Sequence, residues 1–259
     1  MVINMNKKIL ILGSAGNIGN LLLNHESLKA NNIISVDINE LPLEFKNEKN
    51  INHYKLDLTN SNDINTLEEI LAKETKKLSS VILASALDSV PKTKNKNPDN
   101  YAKGIEFANL DEIQKRINVN ITSQLFIIKC IYKHLDKDSH ILLFSSIYGL
   151  RSPDHRIYKM GFIKPIEYST SKSAIIGLTK HLSITLALKK KGRANCLVLG
   201  GLFNKNQDKS FQKKYLEKVP LGRMLNKDDI LNAYEFLTSE KSSYITGSSL
   251  VIDGGYTAW

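Results

Sequence analysis

Apolar residues fall along this chain in two rhythms. The first is a set of short, nearly unbroken runs: Lys8-Ile9-Leu10-Ile11-Leu12, Ile33-Ile34-Ser35-Val36, Val81-Ile82-Leu83-Ala84, Ile141-Leu142-Leu143-Phe144, Ala194 to Leu199, and Leu250-Val251-Ile252-Asp253. Such runs, without polar alternation, are what strands buried on both faces of a parallel sheet look like. His53-Tyr54-Lys55-Leu56 is a further, more polar strand candidate. The second rhythm is helical. Ile64, Leu67, Ile70 and Leu71 recur at helical steps between Ser61 and Lys77. Ile113, Ile117, Ile121, Leu125, Ile128 and Ile131 do the same along one long helix from Leu110 to Leu135. Another helix is predicted from Tyr168 to about Lys190, a short one near Phe211 to Leu216, and a last one after Asn226, a good N-cap followed by Asp228 and Asp229. Strands alternating with helices predict an α/β fold: one doubly wound parallel sheet of about seven strands flanked by helices, a single domain over residues 1–259. Three polar stretches, 88–109, 150–166 and 201–225, interrupt the rhythm. They are read as excursions over the carboxyl edge of the sheet, where ligand sites lie in such folds.

Composition narrows the class. The 259 residues are 42% hydrophobic and 24% charged, and no run reaches the ~18 apolar residues of a membrane span. The opening residues pass straight into a strand pattern, so no secretory signal is expected. Cys130 and Cys196 sit inside apolar runs, as suits reduced core thiols in a cytoplasmic protein. No His/Cys cluster has metal-ligand spacing, so no metal is expected. The net charge of +10 raises the question of nucleic acid, but the lysines are scattered and no recognition motif accompanies them. No nucleic-acid or membrane partner is expected. Anionic small molecules would be attracted.

Three local patterns carry chemistry. In Tyr168-Ser169-Thr170-Ser171-Lys172 the phenol and the ammonium lie four residues apart, on one helix face. A cation ~4 Å from the phenol, at an effective dielectric of ~20, would favour phenolate by about 4 kcal/mol. At ~1.4 kcal/mol per unit this lowers the pKa by roughly two or three units, enough for proton exchange with an alcohol or carbonyl. An isolated pair of this kind is most often an ordinary surface feature, so its context decides. Gly13-Ser14-Ala15-Gly16-Asn17-Ile18-Gly19 joins the first strand to its helix, a setting that offers backbone N–H groups to a pyrophosphate. Asp37 ends the second strand, 18 positions after Gly19, close to the ~20-residue offset of a ribose-binding acid. Asp57-Leu58 stands in a comparable place after the third.

Taken in order, these pieces resemble the short-chain dehydrogenase/reductase family in its short, non-extended form. The resemblance rests on G-S-A-G-N-I-G (Gly13 to Gly19), V-D (Val36-Asp37), D-L (Asp57-Leu58), V-N-I-T (Val119 to Thr122), F-S-S-I-Y-G (Phe144 to Gly149), Y-S-T-S-K, N-C-L-V-L-G-G (Asn195 to Gly201) and I-T-G-S-S-L-V-I-D-G-G (Ile245 to Gly255). It implies a Rossmann-type fold and a catalytic tetrad of Asn120, Ser146, Tyr168 and Lys172. In such enzymes the serine holds the substrate oxygen and the tyrosine exchanges its proton. The lysine lowers the tyrosine pKa and binds the nicotinamide ribose, while the asparagine supports a proton relay. It implies cofactor contacts from Gly13, Ser14, Gly16, Asn17, Ile18, Gly19, Asp37, Asp57, Leu58, Ala84, Tyr168, Lys172, Gly200 and Leu202. NAD is the cofactor expected, because a carboxylate at Asp37 repels a 2′-phosphate. A homodimer or homotetramer is also implied, through the helices at Leu110–Leu135 and Thr170–Lys190.

The chain departs from the family pattern in places. Asn17 stands at the middle glycine, Ala84-Ser85-Ala86-Leu87 replaces N-N-A-G, and Leu199 replaces a proline. Ser146 and Tyr168 are 22 apart, leaving an insertion around Arg151 to Pro165. That insertion, with G-G-L-F-N and the ending D-G-G-Y-T-A-W, is similar to flagellin-modification oxidoreductases that serve surface-sugar pathways. The expected activity is hydride transfer between NAD and a hydroxyl/keto carbon of a sugar or sugar-phosphate type substrate. The alternatives are an NADPH-dependent ketoacyl-type reductase and a non-catalytic dinucleotide-binding regulator. Arginine forks suit phosphate oxygens. Arg151 and Arg156 are therefore the expected contacts to an anionic sugar, with the lysine-rich loop from Lys92 to Lys103 approaching the same mouth.

Overall fold

The computed structural model describes residues 7–88, 104–189 and 191–259. Its frame is one seven-stranded sheet in the order β3-β2-β1-β4-β5-β6-β7. The strands are β1 (Lys8–Leu12), β2 (Asn32–Asp37), β3 (Ile51–Lys55), β4 (Leu78–Leu83), β5 (Leu135–Ser146), β6 (Gly192–Leu199) and β7 (Ser249–Ile252). Every pairing is parallel. The helices are α1 (Asn17–Leu23), α2 (Glu26–Lys29), α3 (Ser61–Lys73), α4 (Leu110–Ile117), α5 (Ser123–Ile131), α6 (Ile166–Leu188), α7 (Lys209–Leu216) and α8 (Lys227–Thr238). Among the described residues, no helix is long and apolar enough to cross a membrane.

Strand geometry explains the unbroken apolar runs. Successive side chains leave opposite faces. Leu10, Leu12, Val81, Leu83, Ile141 and Leu143 pack one way, against Leu67 and Leu71 of α3, Ile127 and Ile131 of α5, and Ile175 and Leu182 of α6. Ile9, Ile11, Ile82, Leu142, Phe144 and Leu197 pack the other way, against Leu22 and Leu23 of α1 and Ile230, Tyr234 and Leu237 of α8. Both faces are covered, so neither can be polar. A third cluster stands apart at the carboxyl edge: Ile147, Tyr148, Ile157, Tyr158, Phe162, Tyr215 and Tyr256.

The predicted helix from Leu110 to Leu135 is instead α4, a five-residue π-helical turn (Asn118–Thr122), α5 and a 3₁₀ turn (Tyr132–His134), with β5 beginning at Leu135. The π turn inserts one residue into the helical count and rotates Asn120 inward, where it is 1% exposed. The apolar spacing conceals this, because a single extra residue moves its phase by only about 100°. Strand order reverses beside β1, whose neighbours are β2 and β4, and this reversal opens a crevice at the carboxyl ends.

Candidate active site

One cavity of about 1560 Å³ runs along that carboxyl edge, from the β1–α1 turn to the tyrosine of α6. At its first end Gly13 adopts φ 78°, a left-handed conformation, and its N–H donates to Val36 O at 2.9 Å. A Cβ on Gly13 would lie 2.4 Å from Ser85 N, so only glycine lets β1 and the end of β4 approach this closely. Gly13, Gly16, Asn17 and Ile18 line the cavity. Ser14 and Gly19 do not, although both are expected cofactor contacts. Ser14 is fully buried and accepts the Ser35 hydroxyl at 2.8 Å. Gly19 serves packing: a Cβ there would meet Gly13 O at 2.2 Å.

Asp37 lines the cavity with its charge already partly engaged. Its Oδ2 accepts Ala15 N–H at 3.0 Å, and its Oδ1 accepts Asn39 N–H at 2.9 Å and Asn39 Nδ2 at 3.2 Å. With about four lone-pair positions on a carboxylate, this leaves capacity for about one further donor, on Oδ2. Asp57, Leu58 and Ala84 continue the wall, as do Gly200 and Leu202 from the strand end opposite. Asp57 Oδ1 accepts both Thr59 N–H and the Thr59 hydroxyl, so this oxygen is committed to its own turn.

The other end holds Ser146, the last residue of β5, with Tyr168 and Lys172 one turn apart on α6. The Ser146 and Tyr168 hydroxyls share a hydrogen bond. Burial pushes the Tyr168 pKa well above the ordinary tyrosine value, the Asp88 carboxylate adds to that rise, and the Ser146 bond offsets part of it. Burial also lowers the Lys172 pKa. Lys172 Nζ donates to Phe144 O at 3.1 Å and stands 5.9 Å from the Tyr168 ring centroid. The sequence reading placed this ammonium close enough to drive the phenol's pKa down. In the structure the ammonium is 5.9 Å from the ring centroid, and burial shifts the Tyr168 pKa upward instead.

Asn120 does not line the cavity. Its Oδ1 accepts Leu87 N–H at 2.7 Å, and its Nδ2 donates to Leu87 O at 3.1 Å and to Ser171 Oγ at 3.1 Å. It ties the end of β4 to α6, and so fixes the wall beside Tyr168.

The substrate side differs from the expectation most. Arg151 donates to Tyr256 O at 3.1 Å and Trp259 O at 3.0 Å, clasping the C-terminal residues. Arg156 forks onto Asp154 through Nε at 2.9 Å and Nη2 at 2.8 Å, with its side chain in solvent. Neither lines the cavity, so both are corrected from substrate contacts to scaffold contacts. The lysine-rich loop 92–103 lies outside the described residues.

What the insertion does bring to the cavity is Lys159, Lys164 and Tyr158. Tyr158 Oη is 2.9 Å from Tyr148 Oη, and its ring stacks on Phe211 of α7 at 5.3 Å. Lys159 pairs with Asp208 at 3.2 Å, and Lys164 with Asp88 at 2.5 Å. Lys159 and Lys164 are visible in the sequence as basic residues of the insertion, but their pairing is not, because Asp208 and Asp88 lie far away along the chain.

Comparison with known proteins agrees with the architecture. A family model described as enoyl-(acyl carrier protein) reductase matches residues 32–257. The chain is 28% identical over 264 residues to post-translational flagellin modification protein A of Campylobacter coli, spanning 97% of this chain and 98% of that one. It is 34% identical over 150 residues to a 3-oxoacyl-(acyl-carrier-protein) reductase of Buchnera aphidicola subsp. Schizaphis graminum, a match spanning 56% of this chain and only 57% of that relative. A short-chain dehydrogenase from Leptospira borgpetersenii serovar Hardjo-bovis with bound NAD+ superimposes with a TM-score of 0.82 at 29% identity, covering 98% of this chain and 93% of that one. By the match over residues 32–257 and by this fold, the chain belongs to the short-chain dehydrogenase/reductase family of oxidoreductases.

Proposed function

We propose that this protein moves a hydride between NAD and a hydroxyl/keto carbon of a small, hydroxyl-rich, sugar-type substrate. The observation that carries the reading is the placing of Ser146, Tyr168 and Lys172 on the same cavity as the glycine turn and Asp37. That cavity exceeds the roughly 300–1,000 Å³ of a drug-sized pocket, leaving room for a dinucleotide and a substrate together. The chain's residues fit such a cofactor. Gly13, Gly16, Asn17 and Ile18 line the cavity at the start of α1, and Asp37 keeps an acceptor position on it. A carboxylate there disfavours a 2′-phosphate by charge repulsion. The NAD+ bound by the Leptospira relative supports the same preference.

When bound, the dinucleotide supplies the hydride carrier. The chain does the rest. Ser146 Oγ is poised to hold the substrate oxygen, and Tyr168 to give that oxygen its proton during reduction or take it during oxidation. The high proton affinity of Tyr168 favours the donating role. Lys172, anchored on Phe144 O beside Tyr168, would hold the ribose of a bound dinucleotide. Asn118 and the Asn204 Nδ2 group line the cavity as amides that suit a polyhydroxylated molecule, while the Gln207 amide is bonded to Asn204 N–H and Leu202 O.

A second reading, an NADPH-dependent ketoacyl-type reductase, draws on the partial match to the Buchnera enzyme. Asp37 weighs against it. The deciding experiment is a panel of sugars, sugar phosphates, nucleotide sugars, simple alcohols and an acetoacetyl thioester, each with NAD(H) and NADP(H), followed at the nicotinamide absorbance. Turnover of sugar-type members with NAD(H) is expected. Preferred turnover of the thioester with NADPH replaces the first reading by the second.

A further inference from the structure

Two residues beside Tyr168 have no place in the scheme above. Lys164 lies just ahead of α6 and is followed by Pro165, which restricts its backbone. Its N–H donates to His155 Nδ1 at 3.2 Å. Its side chain is 4% exposed, and its Nζ meets Asp88 Oδ1 at 2.5 Å. That ammonium stands 4.4 Å from the Tyr168 ring centroid, nearer than the 5.9 Å of Lys172. Asp88 comes from another part of the fold, directly after Leu87, whose N–H and C=O are both clamped by the Asn120 amide. Lys164, Asp88 and Tyr168 all line the cavity.

We propose that Asp88 and Lys164 are a positioning pair for Tyr168, which together decide how firmly its phenol keeps its proton. The physics is direct. A cation near a phenol stabilises the phenolate, and an anion destabilises it. Water reaches the Asp88 carboxylate, whose side chain is 37% exposed, and screens it more than the Lys164 ammonium, which is 4% exposed. The Asp88 carboxylate raises the proton affinity of Tyr168, and the Lys164 ammonium, paired with that carboxylate and 4.4 Å from the ring centroid, carries the opposite charge. The other titratable groups acting on or standing beside the phenol are Lys172 on its own helix and Tyr158 from the insertion, with neutral Ser146 as hydrogen-bond partner, and Tyr148 and Lys115 line the same cavity. Among these, Asp88 is the anion that raises the phenol's pKa. Cutting its charge leaves Lys164 and Lys172 acting in the same direction.

The proposal rests on Tyr168 as the proton-transferring group, but its test reads the phenol itself and needs no turnover. Protein labelled with ¹³C at tyrosine Cζ is titrated between pH 6 and 11 with NAD present, and the Tyr168 signal is assigned by its loss in Tyr168→Phe. Tyr168 should stay un-ionised across this range in the wild type, whereas Asp88→Asn should bring the onset of its ionisation within it, below about pH 11. Adding Lys164→Met to Asp88→Asn should move ionisation back upward, while Lys164→Arg alone should leave it unchanged. A merely structural pair would not move the signal in opposite directions. Should Lys164→Met fail to fold, Lys164→Gln carries the same arm. If Asp88→Asn leaves the phenol un-ionised as far as the wild type, or the double variant titrates like Asp88→Asn, the pair does not govern Tyr168. Loss of turnover in Tyr168→Phe, measured separately, tells that failure apart from a failure of the proposed function.

Discussion

The two ends of the cavity are built by different means. The end proposed for the dinucleotide is made of backbone and short-range contacts: a glycine turn closed onto β2, an aspartate at a strand tip, and hydrogen bonds that Asp37 accepts from Ala15 and Asn39. The substrate end is made of side chains meeting across the fold. Tyr158 stacks on Phe211, Lys159 pairs with Asp208, Lys164 pairs with Asp88, and Lys214 donates to Arg156 O at 3.1 Å. A backbone cradle tolerates little change, because its shape is set by conformations only glycine adopts freely. A wall of paired side chains can be rewritten one pair at a time. The first end can therefore stay constant while the second changes its substrate.

The comparison breaks most visibly where both ends meet, at Tyr168. Tyr168→Phe keeps the ring and removes the proton, so turnover on the true substrate should fall by at least ~100-fold while the dissociation constant for NAD(H) changes little. Near-normal turnover in that variant would undo the assignment of the reacting group. Gly13→Ala comes next. The added Cβ meets Ser85 N at 2.4 Å in a left-handed conformation. A loss of about 1–3 kcal/mol in stability should follow, read as a lower Tm, together with weakened dinucleotide binding. A Gly13→Ala protein with unchanged Tm and NAD affinity would mean that the first end is not a rigid cradle.

The same difference explains what could be read before any coordinates. The sheet was legible because strands covered on both faces must be apolar, and the runs around Leu10, Val81 and Leu142 could hardly be anything else. Gly13 and Asp37 were legible because their chemistry depends on neighbours within the same βαβ unit. Ser14 and Gly19 lie inside that same motif, yet they face the interior, since a pattern of letters does not say which side of a turn is wet. The π turn at Asn118–Thr122 was hidden in an unbroken apolar spacing. Arg151 and Arg156 were misread for a plainer reason. A basic segment shows its charges, while their partners, the carbonyls of Tyr256 and Trp259 and the carboxylate of Asp154, become visible only in the fold. The pair formed by Lys164 and Asp88 was unreadable on the same ground.

Asp37 sharpens the first end alone. Its single remaining acceptor position makes its contribution to NAD binding modest, while its charge still opposes a 2′-phosphate. Asp37→Ala should therefore narrow the preference for NAD(H) over NADP(H) by about tenfold, the ~1.4 kcal/mol of one charge-assisted contact. Dissociation constants for the four cofactor forms measure it. Tighter binding of NADP(H) by the unaltered protein would reverse the reading.

The smallest effect is expected at the two arginines. Arg156 extends into solvent with Asp154 as its partner, and salt screens such exposed pairs. Asp154 also pairs with Lys218 at 2.5 Å, so it keeps a cation when Arg156 is removed. Arg151 holds two carbonyls of the C-terminal residues and stands 5.9 Å from the Tyr256 ring centroid. Its loss loosens that end without touching the cavity wall. Arg156→Ala should leave KM for a phosphorylated sugar within about twofold of the unaltered protein, since no charge-assisted contact of ~1.5–3 kcal/mol is lost. Arg151→Ala should do the same while lowering Tm slightly. The measurement is a KM comparison on the best phosphorylated member of the panel, beside its unphosphorylated parent. A rise of tenfold or more confined to the phosphorylated compound would restore the arginines as anion contacts, and would require the insertion to fold over the cavity in the substrate complex.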